Sequence, residues 1–436
     1  MKKTYIATLM SAALIFPAAS WAQSLEQSVA EALLTHPQIQ EAYHLYQSRQ
    51  YQIDEAKAGY LPKIDAIAGI GPERTNNSTT RAGGDGVDKS LTRQEASVSL
   101  TQMLFDGFDT SSNVNRTQAE AEAQKYALFS TAENTALRVS EVYLNVLRQQ
   151  EIFELSKKNL QTHEDILADI AKRTDSGLGS TADLSQIQGR VARAYANLAA
   201  AENNLRDAQS EYMRVINAEP MDLVQPVPDA DMLPANLDDA LKVATAQHPT
   251  LLSSLQDIEA ARYQHEGAKA NFYPRVSVEA SQNWYEDADG IKGSSEEGRA
   301  MLMVRYNLFN GGADTARSRS TSALQSQAKD INMNAYRQVE EGTRLAWAAR
   351  DSLLQQKEFF RKHVDASYDT VQAYKKQFTL GKRTLLDVLN TENELFEARR
   401  SYINADYDEL YAEYRIMNAT GRLLDSLRVT RPEQWK

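Results

Sequence analysis

The chain states one junction twice, and this duplication constrains the fold more than any other feature. Ala56-Lys57-Ala58-Gly59-Tyr60-Leu61-Pro62-Lys63-Ile64 returns as Ala268-Lys269-Ala270-Asn271-Phe272-Tyr273-Pro274-Arg275-Val276. In each copy an Ala-rich polar run that favours helix meets aromatic residues and then a proline. The proline lacks an N–H, and its ring biases the preceding residue towards extended backbone. Each copy therefore reads as a helix handing over to a strand, at Pro62 and at Pro274. The same offset of 212 residues brings His36-Pro37 onto His248-Pro249. An offset of 204 pairs Leu104-Phe105-Asp106-Gly107 with Leu308-Phe309-Asn310-Gly311, and Gly177 and Asp183 with Gly381 and Asp387. Landmarks that recur in order indicate one unit built twice rather than unrelated domains.

Beyond each proline the residues alternate, predicting strands at about 62–73, 95–105, 274–285 and 299–309. Ile64, Ala66, Ala68 and Ile70 share a face, as do Val276, Val278, Ala280 and Trp284, and Ala300, Leu302, Val304, Tyr306 and Leu308. The opposite faces carry Lys63, Asp65, Ser97, Ser99, Glu279, Ser281 and Arg305. Four such strands fit a membrane β-barrel, although alternation taken alone favours a half-buried soluble sheet.

The rest of each repeat is helical. No proline occurs between Pro72 and Pro220 or between Pro274 and Pro432, and glycine is scarce in the polar stretches. Long helical hairpins are expected at about 113–217 and 314–419. The first arm, from Asn113 to Ser176, would extend about 95 Å at 1.5 Å per residue. Its return arm, Thr181 to Asn217, is shorter, and the helix from Pro37 to Leu61 makes up the difference. Two helices end to end could thus run beside one long helix. Leu184, Ile187, Val191, Ala194, Leu198, Ala201, Leu205, Ala208, Tyr212 and Val215 form a coiled-coil seam. A second frame runs Leu386, Leu389, Asn393, Phe396, Arg400, Ile403, Tyr407, Leu410, Tyr414 and Met417.

Residues 1–22 read as a secretory signal: Lys2 and Lys3, an apolar run from Ile6 to Phe16, and Ser20-Trp21-Ala22 at the cleavage site. The first repeat then occupies 23–219, a linker containing Pro220, Pro226, Pro228 and Pro234 covers 220–236, the second repeat spans 237–421, and a tail covers 422–436. No later apolar run reaches the roughly 18 residues of a membrane helix, so any crossing uses strands. There are no cysteines for disulfides or thiolate metal sites, and the formal charge of −11 disfavours nucleic acid. The six histidines are scattered without metal-ligand spacing, and no phosphate loop follows a strand. The expectation is a chain with no catalytic residues, metal or cofactor, not an enzyme.

The helix-breaking tips are Gly177-Leu178-Gly179-Ser180-Thr181-Ala182-Asp183 and Gly381-Lys382-Arg383-Thr384-Leu385-Leu386-Asp387. Ser180 to Asp183 and Thr384 to Asp387 each have capping-box spacing, so both aspartates could be helix caps and nothing more. The duplicated order of elements, the helices ending at Pro62 and Pro274, and Gly381-x-Arg383-Thr384-x-x-Asp387-Val388-Leu389 together resemble the TolC family of outer-membrane exit ducts. The resemblance covers essentially the whole mature chain.

It implies an α+β membrane protein of Gram-negative bacteria. Three copies would form a 12-stranded β-barrel, four strands per chain, in outer-membrane lipid, continuing into a periplasmic α-helical coiled-coil barrel. By resemblance the pore constriction falls at Asp387 and Asn390, and the closed-state lock at Asp183, Arg383 and Phe378. The tips that dock a periplasmic adaptor fall at Gly177, Leu178, Gly179, Gly381 and Lys382. Asn390 stands where the family usually has a second acid, and Phe378 where it has a tyrosine, so a less negative throat and a differently latched gate are expected. The resemblance favours passive export of protein, for example a large adhesin, from an inner-membrane ABC transporter in a type I secretion system. Drug efflux with a proton-driven pump is the alternative, and a soluble periplasmic coiled-coil scaffold a more distant one.

Overall fold

The computed structural model describes residues 23–82 and 88–435. The expected secretory signal at 1–22 lies outside the described residues, as do residues 83–87 between the first two strands. The first repeat comprises α1 (Leu25–Thr35), α2 (Pro37–Lys57), β1 (Lys63–Thr75), the short α3 (Ser78–Ala82), β2 (Lys89–Phe105), α4 (Asp109–Asp175) and α5 (Thr181–Ile216). The second comprises α6 (Leu237–Gln247), α7 (Pro249–Ala268), β3 (Arg275–Glu286), β4 (Ser294–Arg305), α8 (Ala313–Thr379), α9 (Leu385–Ala419) and α10 (Leu423–Ser426). The long arms α4 and α8 each hold 67 residues. No helix among the described residues is long and apolar enough to cross a membrane.

The chain divides into two compact units, Met1–Ala32 with Val139–Val227 and Phe360–Tyr407, and Leu33–Arg138 with Pro228–Phe359 and Asp408–Lys436. The second unit contains the sheet. Its strands run antiparallel in the order β1-β2-β3-β4, so the repeats join where β2 pairs with β3, and among the described residues both outer strands keep an open edge. Register places Ala66 opposite Val98, Leu100 opposite Ala280, and Val278 opposite Leu302, which gathers the apolar residues on one face. That face is bare: Ile70 is 75 % exposed and Leu302 65 %. The polar face carries ion pairs, with Arg93 bonding Glu73 and Glu95 at 2.9 Å each and Arg305 reaching Glu279 at 2.6 Å.

Two strand limits differ from the sequence expectation. β2 begins at Lys89, not about 95, because β1 continues opposite it to Thr75 and satisfies the backbone of its polar first turn of residues. β4 is likewise displaced towards the N-terminus at both ends, from 299–309 to Ser294–Arg305. Its last pair is Arg305 with Arg275. The next residue on the partner strand is Pro274, which has no N–H to give. Tyr306 and Leu308 therefore leave the sheet instead of extending its apolar face.

Where β2 turns into α4, Asp106 accepts hydrogen bonds from the Thr110 amide at 2.8 Å and hydroxyl at 2.5 Å. Gly107 and Phe108 both have positive φ, +74° and +71°. Phe105, Phe108 and Tyr273 meet edge to face at centroid separations of 5.3 to 6.5 Å, the geometry their ring quadrupoles prefer. α2 and α7 both lie on the first part of α4, through Arg49 to Glu120 at 3.5 Å and the Ser253 hydroxyl to the Ala123 carbonyl at 2.9 Å. Ala244, Leu251, Ala335 and Val339 form a smaller core between α6, α7 and α8.

The tail folds back onto α4 through one buried carboxylate. Glu133 accepts from the Leu423 amide at 2.9 Å and the Leu424 amide at 3.4 Å, and Arg431 reaches its other oxygen at 3.3 Å. Burial outweighs these partners and pushes the Glu133 carboxyl up to about 7. Arg431 also stacks over Phe129, whose ring lies 6.5 Å from that of the fully buried Trp435.

In the first unit, Leu160, Ile170, Ile187, Val191, Ala194, Leu385 and Leu389 form one core, with Leu184, Leu198 and Phe378 packed around it. The α5 seam lies in this cluster. α9 buries more than the single frame read from its sequence. Leu389, Phe396, Ile403 and Tyr407 are buried, but so are Leu385, Val388, Leu395 and Ala398, whereas Leu386 is exposed. Two buried stripes mean that the helix is covered on two sides, which a heptad count along one seam cannot reveal.

Candidate channel gate

Both tips sit in the first unit and end their long helices in the same way. Gly177 and Gly381 take left-handed backbone, φ +74° and +71°. The Gly177 amide bonds the Thr174 carbonyl at 2.9 Å and the Leu178 amide the Arg173 carbonyl at 2.8 Å. Gly381 to Phe378 and Lys382 to Gln377, both at 2.9 Å, repeat the pattern. This is the paired closure that left-handed glycine permits at a helix C-terminus. It leaves Leu178 pointing into solvent, 85 % exposed. A Cβ on Gly179 would lie 2.7 Å from the Thr174 hydroxyl, so that position has no room for a side chain.

The tips differ at the start of the return helices. Thr384 and Asp387 form a complete capping box: the Asp387 carboxylate accepts from the Thr384 hydroxyl at 2.9 Å and amide at 3.1 Å, and the Asp387 amide donates to the Thr384 hydroxyl at 3.3 Å. The Thr384 hydroxyl, then its amide and the nearby Arg383 charge hold the Asp387 carboxyl below its ordinary range. Ser180 caps α5 with one bond, accepting from the Ala182 amide at 3.1 Å. Asp183 closes no matching box, contrary to the expectation from spacing. Thr384→Ala is therefore expected to cost about 1 kcal/mol of stability and Ser180→Ala less. Thermal unfolding of the two variants measures the difference.

Arg383 donates to the Gln377 side chain at 3.1 Å and stacks over Tyr374, 4.3 Å from its centroid. Within one chain it thus holds its own hairpin rather than Asp183. Phe378 packs on the apolar cluster with the Arg173 guanidinium 5.3 Å above its ring. Asn390 accepts a hydrogen bond from Arg190 at 2.8 Å, tying α9 to α5. The sequence reading missed Tyr374, Gln377, Arg173 and Arg190. Arg173 and Gln377 are repeat equivalents, and Arg190 flanks the seam residue Val191, where interhelical polar contacts form in coiled coils. Pro62 and Pro274 lie in the second unit, each between a 3₁₀ turn, Ala58–Tyr60 or Ala270–Phe272, and its strand.

The model of the family described as outer membrane efflux protein matches residues 29–218 and 240–422. The chain belongs to the outer membrane efflux protein family. Relatives extend over nearly its full length. Outer membrane efflux protein BepC of Brucella suis biovar 1 is 25% identical over 421 residues, covering 96% of this chain and 89% of its own. Alkaline protease secretion protein AprF of Pseudomonas aeruginosa is 25% identical, covering 90% and 83%. Outer membrane protein TolC of Escherichia coli is 22% identical, covering 94% and 84%. Among solved structures, the CmeC outer membrane channel of Campylobacter jejuni superposes with a TM-score of 0.79 at 16% identity over 92% of this chain and 86% of that one. CusC gives 0.78 at 17% over 91% of each.

Membership of the outer membrane efflux protein family makes this an outer-membrane channel of the TolC type, with its helices in the periplasm. It is a passive conduit of tripartite efflux or export systems, not an enzyme. The soluble-scaffold alternative falls with this assignment.

Proposed function

We propose that the protein is the outer-membrane exit duct of a type I secretion system. Three copies form the channel, and an inner-membrane ABC transporter hands a protein, of the adhesin class, through a periplasmic adaptor. The relation to AprF, a protein named for secretion of an alkaline protease, over 90% of the chain supports a protein as the cargo. Four strands with two open edges support assembly with further copies, because a closed membrane barrel needs at least about eight strands and one chain supplies half of that; three copies give the 12 strands of this reading.

In this reading Asp387 and Asn390 line the constriction, and the capping role of Asp387 holds its carboxylate in place there. The lock pairs Arg383 with Asp183 of a neighbouring copy, since within one chain Arg383 is engaged with Gln377 and Tyr374. Phe378 serves the lock as a packing residue, not a hydrogen-bond donor. Gly177, Leu178, Gly179, Gly381 and Lys382 present the adaptor with an exposed leucine between tight turns. Pro62 and Pro274 fix the change from tube to barrel, and the two halves of the duct are the repeats 23–219 and 237–421 joined by 220–236.

Drug efflux is the second reading, supported by BepC and by the probable efflux pump outer membrane protein TtgC of Pseudomonas putida, 24% identical over 85% of this chain. Deleting the gene separates the two. Under the secretion reading a surface or secreted protein disappears from the medium while drug susceptibility stays at the parental level. Hypersensitivity with an unchanged secreted proteome transfers the assignment to efflux.

A further inference from the structure

At the constriction proposed above, on which this inference rests, the neutral side chain of Asn390 is held by a full positive charge. Arg190 donates from one guanidinium nitrogen to the Asn390 carbonyl oxygen at 2.8 Å. The bond itself is exposed, but the backbones that carry it are fixed. Ile187 and Val191 on either side of Arg190 on α5, and Leu385 and Leu389 beside Asn390 on α9, belong to one buried cluster. That packing sets the register of the two helices and so the level of the guanidinium.

An amide accepts the hydrogen bond but cannot cancel the charge, and Arg190 has no carboxylate within ion-pair distance among the described residues. Elsewhere in the same unit cations are neutralised, as where Lys375 meets Glu392 at 2.5 Å. Asp387, less than one helical turn before Asn390, carries the opposing negative charge and keeps it, because Thr384 holds the carboxyl in its ionised form. One turn of helix rises about 5.4 Å, within the Debye length of about 8–10 Å at ordinary salt, so a passing ion feels both charges.

We propose that Arg190 is a selectivity-determining residue of the pore. It forms a cationic ring beside Asn390 that offsets the Asp387 ring and leaves the throat with little preference between small cations and anions.

The test is reversal potential in planar bilayers across a potassium chloride gradient, using full-length protein and variants first shown to have the same assembly size in detergent. Arg190→Gln and Arg190→Ala each remove one positive charge per copy. Both should raise the potassium-to-chloride permeability ratio roughly fourfold, as expected for three charges about 10 Å away in screened solvent. Arg190→Lys should stay near the parental ratio while Arg190→Gln, which keeps a hydrogen-bond donor but no charge, does not; a merely structural role for the hydrogen bond does not explain that difference. If Asp387→Asn lowers the ratio while the Arg190 variants leave it unchanged, the Arg190 assignment is wrong and the constriction stands. If neither position moves the ratio, the constriction reading fails and this inference with it.

Discussion

Gly107→Ala is expected to lower the thermal midpoint of the assembled channel sharply, whereas Gly311→Ala, its repeat counterpart, should lower it only slightly. Both glycines have positive φ, +74° and +70°, and a left-handed alanine costs about 1–2 kcal/mol at either site. The surroundings differ. A Cβ on Gly107 would collide with the Ala270 carbonyl oxygen and lie 2.9 Å from the Tyr273 Cβ, while one on Gly311 meets nothing within 4 Å. Neither obstacle is a flexible side-chain end, because the Ala270 carbonyl belongs to the 3₁₀ turn that leads into Pro274. Forcing that overlap adds about 1–3 kcal/mol and displaces Tyr273 from Phe105 and Phe108. The combined loss at Gly107 is about 2–5 kcal/mol, read as a lower midpoint in thermal unfolding of the detergent-solubilised channel. Equal midpoints for the two variants would show that the crowding at Gly107 relaxes at no cost.

The second large effect concerns Glu133 and pH. Burial raises its carboxyl from 4.5 to about 7 against the attraction of Arg431 and two amides. The folded state therefore binds this proton more tightly than the unfolded chain. The stabilisation from Glu133 is complete below about 4.5 and is lost as pH rises through about 7. Across that window the change amounts to about 3 kcal/mol. Glu413, also raised by burial, and Asp387, which is lowered, add slopes of opposite sign, so comparison with a variant isolates Glu133. Glu133→Gln is expected to remove the Glu133 share of the pH dependence between pH 5 and 8 while leaving Trp435 buried, followed by its fluorescence during unfolding. A variant with the parental pH profile would mean that Glu133 keeps an ordinary carboxyl.

The duplication, the strand-and-hairpin order and the family were legible in the residues because each is recorded twice in the chain. Places where the two copies diverge were less so. The ends of β4 depended on what lay opposite, since Tyr306 and Leu308 alternate as a strand should but face a proline that cannot pair. Capping-box spacing was the same at both tips, yet only Thr384 and Asp387 close the box. Arg190 bonds a residue 200 positions away, and only the packing of α5 against α9 reveals it. Spacing could locate the candidate gate but could not distinguish its charges from its caps.

The outer strands β1 and β4 have a consequence for biogenesis. Each offers a row of backbone donors and acceptors with no partner strand among the described residues, and in hydrocarbon every such group left unmatched costs several kcal/mol. A lone copy therefore has no stable inserted form, and closure with its neighbours must accompany entry into lipid. Channel yield should rise more steeply than protein level, and a nascent chain that lacks companions is material for chaperones and proteases, not a slow-maturing channel.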